Sequence, residues 1–259
     1  MKHSRVLWFF LVSLLMTLYA RTVQIMYLTD DSSGFFHSSN MTEALLLCGF
    51  IAVFIIAPSV VAAFSAKTPN EMPTPNFFLF LSYIILAGAT FYEALFVDQS
   101  GKNSFISVLT VVFAVLSALC MLLQPLRPLF SGADKYFALS FVFPVLFLLF
   151  KLCSVFMVYA TVSVIASNVF YLLFLCAALL LFFAVAKQQN AVPQNRPRII
   201  LPLSFATCSL GLCCVIPQSI AFLFGKTKFT HDNPQNFVLC TAISVFAIVY
   251  SFSLYKKEK

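Results

Sequence analysis

Arg21, Glu93 and Lys151 are the residues of this chain best placed to do chemistry, because each interrupts an apolar stretch where an ion is costly. A charge inside a membrane helix costs roughly 2.5–3.5 kcal/mol on insertion scales, so each needs a partner or water. At a rise of ~1.5 Å per residue, Arg21 lies about 21 Å from the inner end of its stretch, Glu93 about 24 Å and Lys151 about 21 Å. The three share one layer in the outer third of a bilayer, with Gln24, Glu43 and Gln218 at or slightly above it. Two bases and one acid at one depth suit an anionic or zwitterionic solute, or a proton carried by Glu93. The competing reading is structural: Arg21 and Lys151 snorkel toward the outer interface while Glu93 pairs with one of them. Lys151 is the least able to escape, since ~9 residues, roughly 14 Å, separate it from the outer end.

The elements that must carry these residues follow from composition. Apolar residues make up 61% of the 259-residue chain, charged residues 10%, and the mean hydropathy is +0.95. Such a chain cannot cover a water-exposed surface, and its 32 phenylalanines are spread over whole stretches rather than one face. An all-α polytopic membrane bundle is expected, with the lipid bilayer as its first partner. Eight stretches are long enough to cross: 6–28, 43–66, 77–97, 105–126, 137–160, 169–186, 199–225 and 237–255. The first has Lys2 and Arg5 before it, as a signal peptide would. But Leu18 fits a cleavage motif poorly and the apolar run continues to Leu28, so an uncleaved first span is expected.

Loop charges orient the spans. With the N-terminus inside, Lys2, Arg5, Lys67, Arg127, Lys135, Lys187, Arg196, Arg198, Lys256, Lys257 and Lys259 all fall on the cytoplasmic side. Only Lys102, Lys226 and Lys228 fall outside, with Arg21 near the outer end of the first span. The positive-inside rule therefore predicts a plasma-membrane protein with both termini cytoplasmic. The formal charge of +7 is this asymmetry, not a nucleic-acid surface. No loop is long enough for a folded domain, and the sequon at Asn40-Met41-Thr42 is read as chance.

Two inner linkers share a spelling. Ala66-Lys67-Thr68-Pro69-Asn70-Glu71-Met72-Pro73 and Ala186-Lys187-Gln188-Gln189-Asn190-Ala191-Val192-Pro193 both read A-K-x-x-N-x-x-P, 120 residues apart. Other spans align in the same order, pairing Arg21 with Lys151, Leu81-Ser82-Tyr83 with Leu203-Ser204-Phe205, and Val112–Leu116 with Val245–Val249. A parallel 4+4 repeat is expected, residues 1–130 and 131–259, related by an axis along the membrane normal. Arg21 and Lys151 would then be symmetric, with Glu93 as their common counter-charge. Within the spans, Pro58, Pro144, Pro202 and Pro217 each remove a backbone donor, and Pro217-Gln218-Ser219 would sit beside the charged layer. Gly88 and Gly211, at nearly matching repeat positions, are expected to let helices approach closely.

Catalytic patterns are lacking. The histidines His3, His37 and His231 lie near or outside the membrane surface, and the eight cysteines lie in apolar runs without metal-ligand or redox spacing. No zinc-protease, serine-hydrolase or nucleotide-binding motif is present. No cofactor, metal or nucleic-acid partner is expected, and enzymatic activity is not expected either. The segment Arg21-Thr22-Val23-Gln24, followed by Thr29-Asp30-Asp31-Ser32-Ser33-Gly34-Phe35-Phe36, resembles the first-span exit of uncharacterised multi-pass membrane proteins of Firmicutes. There an R-x-x-Q helix end leads into an acidic turn with Gly-Phe-Phe; Ser33 stands here where that pattern has Thr. The resemblance covers residues 21–36, implies a bacterial plasma membrane and brings no activity with it. Two functions fit the residues: a small-solute transporter or permease component with a site between the repeats, or a non-catalytic sensor or subunit of a homo- or hetero-oligomeric membrane complex.

Overall fold

Inside a bilayer no water can satisfy backbone N–H and C=O groups, so apolar stretches of this length fold as helices. The computed structural model describes residues 3–30, 35–65, 76–96, 105–129, 134–160, 166–190, 199–225 and 234–255. Its α-helices are α1 (His3–Tyr27), α2 (Met41–Ser65), α3 (Phe77–Phe96), α4 (Phe105–Leu123), α5 (Asp134–Ser140), α6 (Val142–Ala160), α7 (Ala166–Gln189), α8 (Ile200–Leu223) and α9 (Pro234–Tyr255). Seven helices among the described residues are long and apolar enough to cross a membrane: α1 to α4 and α7 to α9. Large apolar side chains such as Phe64, Phe77, Phe105 and Leu223 point outward, as contact with lipid requires.

The expected fifth span, 137–160, is not one helix. It is broken at Phe141 into α5 and α6, whose apolar part, Val142–Met157, is shorter than the other spans. The cause is local. Pro144 has no N–H for the carbonyl of Ser140, and its ring crowds that carbonyl. At the end of α5 the Phe137 carbonyl accepts from the Gln124 amide at 2.7 Å and from the Ser140 hydroxyl at 2.7 Å. Pro58 and Pro217, by contrast, sit inside unbroken helices, and Pro202 lies in the first turn of α8. Helix α8 runs unbroken through Pro217 and Gln218 and ends at Leu223, two residues before Gly225, whose φ of +81° only glycine adopts cheaply.

Helix α8 organises the packing. It touches α1, α2, α7 and α9, and joins two apolar clusters. One cluster gathers Val6, Phe10 and Leu14 of α1, Ala62 of α2 and Leu201, Phe205 and Cys208 of α8, with Phe10 stacked on Phe205 at 4.2 Å. The other draws mainly on α3, α4, α6, α7, α8 and α9, with Ala20 of α1 and Ile51 and Ile55 of α2. Within it, α3, α4, α6, α7 and α9 succeed one another as neighbours and enclose a compartment filled by their buried side chains. The pairings α1–α2 and α3–α4 recur as α6–α7 and α8–α9, but α3 packs against α4 and α9 without the flanking pair that α8 has in α1 and α2. The first of the two like-spelled linkers, 67–73, lies outside the described residues, as do residues 191–193 of the second.

Only one of the two expected small-residue contacts is realised. A Cβ on Gly211 would meet the Ser244 hydroxyl at 2.2 Å, Phe174 Cε2 at 2.8 Å and the Cys240 carbonyl at 3.1 Å, whereas one on Gly88 would meet nothing within 4 Å. Gly211 is where α8 closes on α7 and α9. Gly211→Ala is expected to destabilise the protein by about 1–3 kcal/mol through overpacking. Gly88→Ala is expected to stabilise it by about 0.4–1 kcal/mol, by restricting the unfolded chain. Thermal unfolding of the two variants in nanodiscs checks this, and equal effects at both positions would contradict the packing described.

Candidate functional site

Helix spacing places Glu93 on the inward face of α3. The buried positions Leu79, Tyr83, Leu86, Thr90 and Glu93 recur every three or four residues along that helix. On α6 the same spacing brings Phe147, Leu148 and Lys151 toward the compartment. Lys151 Nζ donates to Glu93 Oε1 and forms an ion pair across the enclosed space. Glu93 is 1% exposed, while the Lys151 side chain keeps 13% exposure. The second carboxylate oxygen, Oε2, is buried without a hydrogen-bond partner. An acceptor left bare in a low-dielectric interior is costly, and a proton, a small cation or a solute's donor group would each satisfy it.

Arg21 does not join this pair. Glu93 takes Lys151 as its ion partner, and Arg21, 2% exposed, is held elsewhere. Its Nη1 donates to Gln24 Oε1, its Nη2 to the Ser167 hydroxyl at 3.2 Å, and its guanidinium lies over the Phe170 ring at 4.5 Å. Gln24 is fully buried and spans the next gap, donating to the Ala44 carbonyl and to Cys48 Sγ, both at 3.0 Å. Its backbone carbonyl accepts from the Leu28 N–H at 3.1 Å and the Thr29 hydroxyl at 2.9 Å. Thr29 and Phe36 face each other as an antiparallel bridge ahead of α2, and the Asp30 N–H donates to the Phe35 carbonyl at 2.8 Å. Arg21 and Gln24 thus tie α1 to α7 and to α2. The expected symmetry, with Arg21 and Lys151 sharing one acid, is replaced by two separate clusters.

The remaining candidates divide as well. Gln218 is buried on α8, while Glu43 is exposed in the first turn of α2, where the helix dipole favours an acid. Sequence reasoning missed Ser167 and Phe170, which lie just before and inside an apparently featureless span. It also missed a polar group at the opposite end of the compartment. There Arg127 donates to Gln189 Oε1, and the Tyr250 hydroxyl donates to Gln188 Oε1 at 3.0 Å. Arg127 reads in the sequence as one more cytoplasmic charge, and Gln188 and Gln189 as linker spelling. The signal available was that both glutamines still belong to the apolar helix α7.

The pair's energetics can be tested directly. Lys151→Met is expected to cost about 3–5 kcal/mol, because it leaves a buried carboxylate unpaired. Adding Glu93→Leu should recover most of that loss, since apolar residues of similar volume often replace a buried ion pair without penalty. Unfolding curves of the single and double variants give the answer. Compared with protein-family models, curated proteins and solved structures, the chain finds no match in any of the three, so its chemistry is read from its own residues.

Proposed function

We propose that this chain is a small-solute transporter or permease component whose coupling group is the Glu93–Lys151 pair. The observation that carries this reading is the bare Glu93 Oε2, a buried carboxylate oxygen left without a hydrogen-bond partner beside a paired ammonium. A purely structural pair gains most when every lone pair is engaged. Here one oxygen is left for something that comes and goes. Protonating Glu93 removes its attraction for Lys151, whose partly exposed ammonium can then turn to an anionic or zwitterionic solute. The pair would break and re-form with each cycle.

In the same reading the chain crosses a bacterial plasma membrane eight times, α5 and α6 together forming a broken fifth crossing, with both termini in the cytoplasm. Duplication of a four-span unit would account for the recurrence of the α1–α2 and α3–α4 pairings as α6–α7 and α8–α9. Arg21, Gln24 and Gln218 would then brace the outer end beside the site rather than bind the solute. A second reading keeps specific support. Lys151 packs directly on Glu93, and Arg21 is engaged on two helices, as expected of a non-catalytic sensor or of a subunit in a larger complex.

A thermal-shift screen of anionic and zwitterionic solutes, run on the purified protein, separates the two. A solute at one hundred times its Kd should raise the wild-type midpoint by on the order of 5–10 °C. Glu93→Gln and Lys151→Met should each abolish the shift. If no solute stabilises the wild type, or if both variants respond as it does, the transporter reading fails.

A further inference from the structure

The polar group at the far end of the compartment sits on an aromatic stack that closes it. Tyr83 of α3 lies 6.4 Å from Phe141, at the break between α5 and α6, and 5.3 Å from Phe246 of α9. Phe246 stacks in turn on Phe182 of α7 at 5.3 Å and meets Tyr250 at 5.4 Å. Every one of these rings is buried. They belong to α3, α7, α9 and the α5–α6 junction, so most of the enclosing helices meet in one plug. Tyr83 precedes Glu93 by 10 residues on α3, and Phe141 precedes Lys151 by 10. The plug therefore lies about 15 Å below the ion pair at ~1.5 Å per residue.

Side-chain hydrogen bonds flank the plug. Arg127 to Gln189 fastens the segment after α4 to the end of α7, and Tyr250 to Gln188 fastens α9 to the same turn. Arg127 is within electrostatic reach of both Tyr83 and Tyr250. Gln124 fixes the hinge beside them, donating to the Phe137 carbonyl at 2.7 Å and the Ser140 hydroxyl at 2.8 Å. A helix already interrupted at Phe141 can swing there without breaking further intrahelical bonds, which a continuous span could not do.

We infer that Arg127, Gln188, Gln189 and Tyr250 latch an aromatic inner gate, and that α5 and α6 move about Phe141 to open it. The inference rests on the transporter reading for its purpose, but its test needs no solute. Leu86 is 2% exposed and lies between Tyr83 and Glu93 on the inward face of α3. In a background whose other cysteines are replaced, Leu86→Cys is labelled with a membrane-impermeant thiol reagent applied from the face that carries Arg127. Cys208, 0% exposed in the α1–α2–α8 cluster, is retained as an internal control.

Breaking the latch with Arg127→Ala, or with Tyr250→Phe, which keeps the ring and removes only the hydroxyl, should speed labelling at position 86 roughly tenfold. Labelling at Cys208 should stay at the parent rate. The gate is overturned if both variants label position 86 at the parent rate, or if Cys208 accelerates in step with it, since that marks general loosening. Latch-dependent labelling together with no solute response in the thermal screen would leave the gate standing and remove the transporter reading.

Discussion

A carboxylate and an ammonium facing each other in an apolar interior set the terms for the rest of this molecule. Neither Glu93 nor Lys151 can be left alone there, because an unpaired ion in a low-dielectric surrounding costs several kcal/mol. The helices that carry them must therefore stand opposite one another at matched heights. That requirement fixes α3 and α6 across the compartment, and α4 lies beside both. Removing either charge would remove the ion pair that joins α3 and α6.

The remaining polar groups mark out what is rigid and what can move. At the end of α1 that carries Arg21, Arg21 and Gln24 form a continuous chain of bonds from α7 through α1 to α2, with the Thr29 hydroxyl on the Gln24 carbonyl. On the other side of α8, the stacked Phe10 and Phe205 and the close approach at Gly211 hold α1, α7 and α9 to a common axis. These are interactions of a scaffold. The opposite end of the compartment is different: aromatic rings without directional bonds among themselves, flanked by the Arg127–Gln189 and Tyr250–Gln188 hydrogen bonds next to a broken helix.

How much of this the sequence disclosed depends on the range of the interaction concerned. Helical structure, the outward-facing phenylalanines and the helix ends within a few residues follow from local hydropathy and backbone chemistry, which no partner alters. Arg21, Glu93 and Lys151 were legible as important because an ion in an apolar stretch is improbable wherever the stretch later packs. The proline at position 144 was visible, but its effect differs from that of Pro58 and Pro217. Those two helices continue, whereas the chain breaks at Phe141, where Gln124, a residue on another element, bonds the Phe137 carbonyl at the end of α5.

Pairing was decided only in three dimensions. Nothing in the spelling of α1 and α6 separates Arg21 from Lys151 as the partner of Glu93; an alignment of the two halves makes them equivalent. The fold separates them because α1 packs on α2 and α8, where Gln24, Ser167 and Phe170 reach the guanidinium first, while α6 faces the compartment beside α4. Gly88 and Gly211 were distinguished in the same way, one facing open space and the other a neighbouring hydroxyl. By itself the sequence determined which residues are costly in a membrane, a property of each side chain and its solvent. Which of them meet is a property of helix neighbours, and hydropathy, being the same on every face of these helices, carries no information about neighbours.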